Sequence, residues 1–348
     1  MASMKTSEQA ISVGVIGSGT WGTALAILLH AKGYSVTVWS AIEEEVKSLS
    51  EKRIHPNLPG LAIAGDIGIT GNLEEAMREK SLLVLAVPSV FVRATAAKMR
   101  PWCREGQIIV NVAKGIEEKT LKTLSQVIEE ELPMADVAVL SGPSHAEEVS
   151  RGLPTTCVAG AGSRQTAEFI QDVFMNEVFR VYTSPDVLGI ELGSSLKNVI
   201  ALAAGIADGL GYGDNAKAAL ITRGIAEIAR LGMAMGGKLQ TFSGLTGIGD
   251  LIVTCASMHS RNRRAGILIG QGKTMEEAMD EVHMVVEGVY SAKAALALAR
   301  KYSQSMPIIE QVNAVLFDGK DAREAVNELM LRDKRIEASD LLWEGEQG

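Results

Sequence analysis

The sequence lacks the cysteine pattern of a disulfide-stabilised or zinc-binding protein. Its three cysteines, Cys103, Cys157 and Cys255, are odd in number, far apart and without a C-x-x-C spacing. Disulfide frameworks need paired cysteines and zinc sites need closely spaced ligands, so both classes are excluded. Cysteines used this sparingly are typical of a reducing compartment, and we expect the protein to be cytoplasmic.

The chain also lacks excess positive charge and long hydrophobic runs. It has 34 Lys and Arg against 42 Asp and Glu, which gives a formal charge of -8 and excludes a general surface for nucleic acid. The longest apolar run, Val199–Ile206, has eight residues. Because this is too short to span a membrane, we expect a buried helix there. Residues 1–10 are polar, and we expect them to be disordered or an expression-derived addition outside the folded domains.

What is present is a globular composition and an alternation of strand and helix patterns. The chain has 348 residues, 47% of them hydrophobic and 22% charged, which is enough for two domains. Up to Asp186 the alternation predicts an α/β Rossmann-type domain, residues 11–186, with a mostly parallel sheet. From Val187 the helical periodicity predicts an all-α domain, residues 187–348. The predicted strands are Ile11–Ile16, Ser35–Trp39, Leu82–Val87, Gln107–Val112, Val137–Ser141 and Thr155–Ala159, and the predicted helices include Thr20–His30, Leu121–Glu131, Val187–Leu210, Met275–Val282, Glu287–Lys301 and Ala322–Leu331.

A glycine-rich turn, Gly17-Ser18-Gly19-Thr20-Trp21-Gly22, joins the first predicted strand to the first predicted helix. Gly17 permits a tight turn, Gly19 lets the backbone approach a pyrophosphate, and Gly22 lets the helix pack close to the strand. The amides at the helix N-terminus add donors for an anion. A tight turn without a ligand is the alternative, but the flanking strand and helix favour a nicotinamide dinucleotide.

The residue after the second strand normally separates NAD from NADP, because an acid there binds the ribose hydroxyls whereas an arginine accepts the 2′-phosphate. Here Ser40, Ala41 and Ile42 occupy these positions. The glutamates Glu43–Glu45 come later, where a solvated helix face explains them equally well. The choice between NAD and NADP therefore stays open.

Four further segments place small residues beside isolated polar groups, and two of them follow predicted strands, where open α/β sheets bind ligands. They are residues 111–117, 141–149, 191–198 and 246–254. At these segments the sequence closely resembles the NAD(P)-dependent glycerol-3-phosphate dehydrogenases of bacterial type. The resemblance continues in order along nearly the whole chain, through Asn57-Leu58-Pro59-Gly60, Ala86-Val87-Pro88-Ser89, Ser260-Arg261-Asn262 and Val285-Val286-Glu287-Gly288-Val289.

The resemblance implies a Rossmann-type domain followed by a helical domain, and a homodimer that reversibly reduces dihydroxyacetone phosphate to sn-glycerol 3-phosphate for glycerophospholipid synthesis. It implies that Lys197 is the catalytic proton donor and acceptor, with Lys114, Asp250 and Thr254 around the reacting carbon. The implied substrate contacts are Lys114, Gly142, Ser144, Lys197, Asp250, Ser260, Arg261 and Asn262. Besides Gly17, Gly19, Gly22 and Ser40, the expected cofactor contacts are Thr20, Trp21, Lys114, Ala146, Arg261, Val285 and Glu287.

Reduction of a ketone by hydride leaves charge on the carbonyl oxygen, so a proton donor and cations must face that oxygen. Lys197 and Lys114 are suitable groups. On the predicted helix, Gly193 lies one turn before Lys197, where a small residue leaves room beside the amine. Since oxidation needs a neutral amine, we expect burial and Lys114 to lower the pKa of Lys197 to roughly 7–8. By periodicity alone, a lysine whose amine reaches water is the simpler interpretation.

Arg261 is expected to bind the substrate phosphate, because a guanidinium donates two directed hydrogen bonds to phosphate oxygens. A solvated helix face formed with Arg263 and Arg264 is the alternative, and Asn262 beside Arg261 favours the binding role. His145 lies in a site segment without a partner at zinc spacing, so we expect it to hydrogen-bond locally and expect no metal.

The sequence leaves two other functions open. A dehydrogenase of the 6-phosphogluconate, hydroxyacid or ketopantoate type has a similar fold, although the ordered set Lys114, Lys197, Asp250 and Arg261-Asn262 favours a phosphorylated substrate. A nucleotide-sensing protein would keep the cofactor site and show no turnover.

Overall fold

Eight strands form one sheet in the computed structural model, which describes residues 11–334, 336 and 337. The expectation for residues 1–10 lies outside the described residues. The strands are β1 (Ser12–Ile16), β2 (Ser35–Trp39), β3 (Gly68–Thr70), β4 (Leu82–Leu85), β5 (Ile108–Asn111), β6 (Asp136–Ser141), β7 (Thr155–Ala161) and β8 (Phe179–Ser184). The central strands are buried runs of aliphatic residues, as expected for a sheet covered by helices on both faces.

The strand order β3-β2-β1-β4-β5-β6-β7-β8 is that of a Rossmann-type sheet with additions at one edge. Every neighbouring pair is parallel except β6 with β7. The chain moves outward from β1 in one direction to β2 and in the other to β4. Ligands of open α/β sheets bind at such a switch point, beyond the carboxyl ends of the strands. The predicted mostly parallel α/β fold is confirmed.

Helices cover the sheet and form most of the described chain after β8. They are α1 (Thr20–Ala31), α2 (Glu43–Lys52), α3 (Leu73–Met77), α4 (Val92–Met99), α5 (Leu124–Glu131), α6 (Ala146–Val149), α7 (Arg164–Phe174), α8 (Val187–Gly209), α9 (Asp214–Ala234), α10 (Leu239–Phe242), α11 (Asp250–Ala256), α12 (Arg261–Gly270), α13 (Met275–Val282), α14 (Glu287–Lys301), α15 (Pro307–Phe317) and α16 (Ala322–Met330). A π-helical turn, Leu245–Gly249, precedes α11. After β8 the described residues form helices and no strand, which confirms the helical C-terminal region.

Helix α8 is the centre of the helical region. Its residues from Gly189 to Ala207 are all buried, and α9, α11, α12 and α14 pack around it. By length and composition α8 could cross a membrane, but 89% of its most apolar 18-residue window is buried inside the protein. The buried helix expected at Val199–Ile206 is therefore confirmed as part of a longer core helix.

Some elements escape prediction because their sequence signal is weak. β8 shows the alternating burial of an edge strand, but its exposed Arg180 and Tyr182 break the apolar run. β3 has only three residues, too few to show the alternation of apolar and polar residues that is typical of a strand. The glycines of Thr241–Asp250 predict a loop, but the stretch contains the end of α10 and the π-helical turn. Single π turns have no distinctive sequence pattern.

Candidate active site

The glycine turn has the geometry of a dinucleotide-binding loop. Gly17 has a φ of +125°, and a Cβ there would lie 2.8 Å from the backbone of Ala86. A Cβ on Gly22 would lie 2.1 Å from the Gly17 carbonyl oxygen. A Cβ on Gly19 would meet no atom within 4 Å. Two glycines therefore close the turn, and the third leaves open space in front of it.

Helix α1 begins at this open space. Its N-cap is Gly19, no side chain caps it among the described residues, and its first turn carries no acid. The first amides of a helix lack partners within the helix and attract anions. Thr20 and Trp21 line the cavity beside them. The residues present fit the pyrophosphate of a dinucleotide.

Lys197 and Asp250 form a buried ion pair on the helical side of the cavity. Lys197 Nζ donates to Asp250 Oδ1 at 2.5 Å and to Thr254 Oγ1 at 2.6 Å. The Thr254 hydroxyl donates in turn to the Asp250 carbonyl oxygen at 2.6 Å. The three residues are 4%, 1% and 4% exposed in the order Lys197, Asp250, Thr254. The ammonium group is thus held in one position by two partners on α11.

Lys114 reaches the same carboxylate from the sheet. It follows β5, and its Nζ donates to Asp250 Oδ2 at 2.6 Å and to the Gly142 carbonyl oxygen at 3.1 Å. Ser144 Oγ donates to that carbonyl as well, at 3.1 Å. Gly142 has a φ of +155°, and a Cβ there would lie 2.7 Å from the Thr156 carbonyl oxygen. Glycine is therefore required for the loop after β6 to present its carbonyl to the lysine.

Burial and the neighbouring charges set the proton affinities of this cluster. Burial lowers the pKa of Lys197 to about 7, against the opposing effect of the Asp250 carboxylate and with the help of the Lys114 charge. Burial alone would raise the pKa of Asp250, but the two lysines outweigh it and hold that pKa below its ordinary value. Near neutral pH the Lys197 amine is therefore able both to release and to accept a proton.

A close contact between α8 and the π-helical turn places Asp250. A Cβ on Gly193 would lie 2.7 Å from the Thr246 carbonyl oxygen. The space at Gly193 is occupied by the backbone of the turn. The expectation that Gly193 leaves room beside the Lys197 amine stays a prediction. The close approach of the turn brings Asp250, the residue after it, against Lys197.

The segment from Ser260 to Asn262 lies at the start of α12 and reaches the cavity. Ser260 Oγ accepts from the Arg263 amide at 3.2 Å and caps the helix. Arg261 Nη1 donates to the Val285 carbonyl oxygen at 3.0 Å. A guanidinium has five N–H donors, and this is the only Arg261 bond among the described residues. The guanidinium therefore keeps donors for a ligand.

Arg263 and Asn262 do not form a common solvated face with Arg261. Arg263 pairs with Asp208 at 2.7 Å, and its side chain is only 13% exposed. Asn262 is buried, and its Nδ2 donates to Asn198 Oδ1 at 3.0 Å while its Oδ1 accepts from the Gly288 amide at 2.8 Å. Asn262 thus joins α12 to α8 and α14.

Glu287 connects the helical region to the loop after β4. Its Oε2 accepts from Ser89 Oγ at 2.5 Å, and its Oε1 accepts from the Ser89 amide at 3.1 Å. Burial raises the pKa of Glu287, while the bonds from Ser89 and the charge of Arg261 oppose that rise. The contact closes one wall of the cavity, next to Val285.

These elements line an open cavity of about 450 Å³ that extends from the glycine turn to Lys197. Gly17 and Gly22 lie in the turn behind its wall, Gly142 and Asp250 lie behind the two lysines, and Ser40 is buried beside Glu45. The predicted site residues in its wall are Gly19, Thr20, Trp21, Lys114, Ser144, Ala146, Lys197, Thr254, Ser260, Arg261, Asn262, Val285 and Glu287.

Glu191 supports the site, although sequence reasoning did not single it out. Its carboxylate accepts from the Ser125 amide at 2.9 Å, from Ser125 Oγ at 2.5 Å and from Asn111 Nδ2 at 3.3 Å. Asn111 Oδ1 accepts from the Ala113 amide at 3.1 Å. Glu191, on α8, therefore holds the segment that carries Lys114. The sequence signal that could have identified Glu191 is a charged residue within an otherwise apolar helix.

His145 does not make the local hydrogen bond expected from the sequence. Its Nε2 is buried and has no partner among the described residues, and its ring lies 5.8 Å from that of His259. Burial and the charge of Lys197 lower its pKa, so the ring is neutral at neutral pH. In the described part of the chain, no group of three or more His, Cys, Asp or Glu side chains is placed to hold a metal ion.

Comparison with known proteins identifies the family. Residues 12–167 match the family described as NAD-dependent glycerol-3-phosphate dehydrogenase N-terminus, and residues 186–327 match the corresponding C-terminus. The chain belongs to the NAD-dependent glycerol-3-phosphate dehydrogenase family. The family resemblance seen in the sequence is confirmed, and the chain is an NAD(P)-dependent oxidoreductase.

Relatives of this family match the chain over nearly its full length. It is 67% identical over 332 residues to glycerol-3-phosphate dehydrogenase (NAD(P)+) from Agathobacter rectalis, which covers 95% of the chain and 99% of that relative. A crystal structure of glycerol-3-phosphate dehydrogenase from Coxiella burnetii is 35% identical with a TM-score of 0.90, over 93% of the chain and 99% of that structure. A ketopantoate reductase from Ralstonia eutropha shares the fold at 14% identity and a TM-score of 0.60, over 92% of the chain and 100% of that structure. The fold alone therefore does not separate these dehydrogenases, whereas the family match does.

Proposed function

We propose that this chain catalyses the reversible reduction of dihydroxyacetone phosphate to sn-glycerol 3-phosphate, with the reduced nicotinamide cofactor as hydride source. One observation carries the proposal: Lys197 and Lys114 share the Asp250 carboxylate beside a cavity that begins at the glycine turn. A proton donor with a pKa of about 7 and a second cation therefore stand where charge develops on a carbonyl oxygen. The product would supply the backbone of glycerophospholipids.

Each residue of the cluster has a distinct task in this reaction. The glycine turn and the first amides of α1 would hold the reduced dinucleotide, which would supply the hydride. Lys197 donates a proton to the carbonyl oxygen as negative charge develops, and Lys114 stabilises that charge. Asp250 positions both ammonium groups, and Thr254 orients that of Lys197. In the oxidation direction the neutral Lys197 amine accepts the hydroxyl proton.

Absorbance of the reduced nicotinamide tests the proposal directly. Purified protein with dihydroxyacetone phosphate is expected to consume NADH or NADPH, measured in parallel reactions. Cofactor binding without loss of absorbance would instead identify a nucleotide-binding protein without this activity. Turnover of a 2-keto acid but not of dihydroxyacetone phosphate would identify a hydroxyacid dehydrogenase.

We propose that Arg261 binds the substrate phosphate, and Arg261→Ala tests this role. Loss of a charge-assisted hydrogen bond is expected to lower kcat/KM for dihydroxyacetone phosphate about 10- to 100-fold. The Kd of the cofactor, measured by calorimetry, should change far less. Arg323→Ala is the control, since Arg323 is exposed on α16. Equal losses in substrate use and in cofactor affinity would contradict the assignment.

A cytoplasmic location and a homodimer complete the proposed function. The described cysteines are free, with Cys157 and Cys255 buried and Cys103 partly buried, which supports a reducing compartment. Exposed apolar side chains on the helical region, such as Met233 and Leu239, support a subunit interface there. Sedimentation equilibrium distinguishes the dimer from a monomer.

A further inference from the structure

Glu45 is a carboxylate fixed at the end of β2, where the sequence leaves the choice of cofactor open. Its Oε2 accepts from Ser18 Oγ at 2.6 Å and from Ser40 Oγ at 2.7 Å. Both serines are buried. Glu43, Glu44 and Glu45 are all exposed in the first turn of α2. What distinguishes Glu45 is that hydrogen bonds tie its carboxylate to the glycine turn and to the end of the second strand.

This position is next to the cofactor part of the cavity. β1 and β2 are neighbours in the sheet, and the Gly17 amide donates to the Trp39 carbonyl oxygen at 3.0 Å. The glycine turn and the end of β2 therefore lie side by side. Glu45 lines the same cavity as Gly19 and Trp21. In Rossmann-type sheets, a residue at the end of the second strand contacts the ribose hydroxyls of the adenosine half.

The surroundings of Glu45 offer little compensation for added negative charge. Burial lowers the pKa of His55, although Glu45 and the Ser18 backbone oppose this, so the imidazole is neutral at neutral pH. Arg53 donates to the carbonyl oxygens of Ser50, Ala64 and Ile67. A 2′-phosphate at this position would face the Glu45 carboxylate, and like charges at short range repel.

We infer that Glu45 selects NADH over NADPH, an inference that rests on the proposed function. The carboxylate accepts a hydrogen bond from a ribose hydroxyl of NADH and repels the 2′-phosphate of NADPH. Ser40, expected to contact the cofactor, instead acts by orienting Glu45 together with Ser18. The acid that usually stands directly after β2 is thus replaced by one from the first turn of α2.

Calorimetric titration of NADH and NADPH in the absence of substrate tests the inference without relying on turnover. The unmodified protein is expected to bind NADH about tenfold more tightly than NADPH or better. Glu45→Gln keeps the shape and removes the charge, so it should bring the two Kd values to within about threefold, mainly by tighter NADPH binding. Glu44→Gln makes the same change of net charge on an exposed neighbour and should leave the ratio unchanged.

Two outcomes would overturn the role of Glu45. One is equal affinity of the unmodified protein for both cofactors, and the other is an equal shift of the ratio in Glu44→Gln and Glu45→Gln. Turnover of dihydroxyacetone phosphate with NADH is measured on the same samples. Preferential NADH binding without turnover would contradict the proposed function alone, whereas turnover without preference would contradict the role of Glu45 alone.

Discussion

Replacing Lys197 with methionine is expected to lower kcat/KM for dihydroxyacetone phosphate about 10²- to 10⁴-fold, the usual contribution of a positioned acid or base. Methionine keeps most of the side-chain length and removes the amine. Asp250 retains Lys114 at 2.6 Å, so the substitution does not leave an unpaired buried carboxylate. Circular dichroism should show an unchanged fold. Lys98→Met, on the exposed side of α4, is the control.

The rates of oxidation and reduction should depend on pH in opposite directions. With a Lys197 pKa of about 7, oxidation of glycerol 3-phosphate needs the neutral amine, so its rate rises with pH and levels off above that value. Reduction needs the ammonium form, so its rate falls over the same interval. Lys197→Met should keep a small residual rate and lose both limbs of the pH profile, the rise in oxidation and the fall in reduction. A variant that retains the low-pH limb of oxidation would show that another group carries the proton.

The sheet and the helical region could be predicted because their signal is local. Apolar β-branched runs, helical periodicity and the glycine turn are each formed by residues that are close together in the sequence. They can therefore be recognised without knowing which distant residues are in contact. The antiparallel direction of β7 is different, since it depends on how the chain returns through residues 142–154. That segment holds only the four-residue helix α6, too short for the usual helical crossover between parallel strands.

The cluster around Asp250 could not be predicted from periodicity. Lys114 and Lys197 are 136 and 53 residues from Asp250 along the chain, and only the packing of α8 against the sheet and the π-helical turn brings them together. The family resemblance identifies these residues, whereas the structure shows the hydrogen bonds that join them. Asp250 lies behind the ammonium groups instead of in the cavity wall. The contact of Glu45 with Ser18 and Ser40 is likewise invisible in a helix pattern, because the first turn of α2 folds back onto the glycine turn.

Asp250→Asn should produce the second large effect, because it removes the charge that keeps Lys197 protonated. The Asp250 carboxylate opposes the effect of burial on the Lys197 pKa, so its loss lowers that pKa further below about 7. The falling limb of the reduction rate should move to lower pH by roughly 1 to 3 units. At pH 7, kcat/KM for reduction should therefore drop about 5- to 500-fold, whereas oxidation at alkaline pH should suffer less.

Asp208→Asn is a matched control for this experiment. Asp208, on α8, likewise pairs with two cations, Lys217 at 2.9 Å and Arg263 at 2.7 Å, but neither of these cations lines the cavity, whereas both lysines bound to Asp250 do. Its substitution should lower the melting temperature and leave both pH limbs in place. Rate profiles in both directions distinguish the two sites, because general loss of stability moves no limb. Identical profiles for Asp250→Asn and the unmodified protein would contradict the positioning role, since the proton affinity of Lys197 would then not depend on its carboxylate partner.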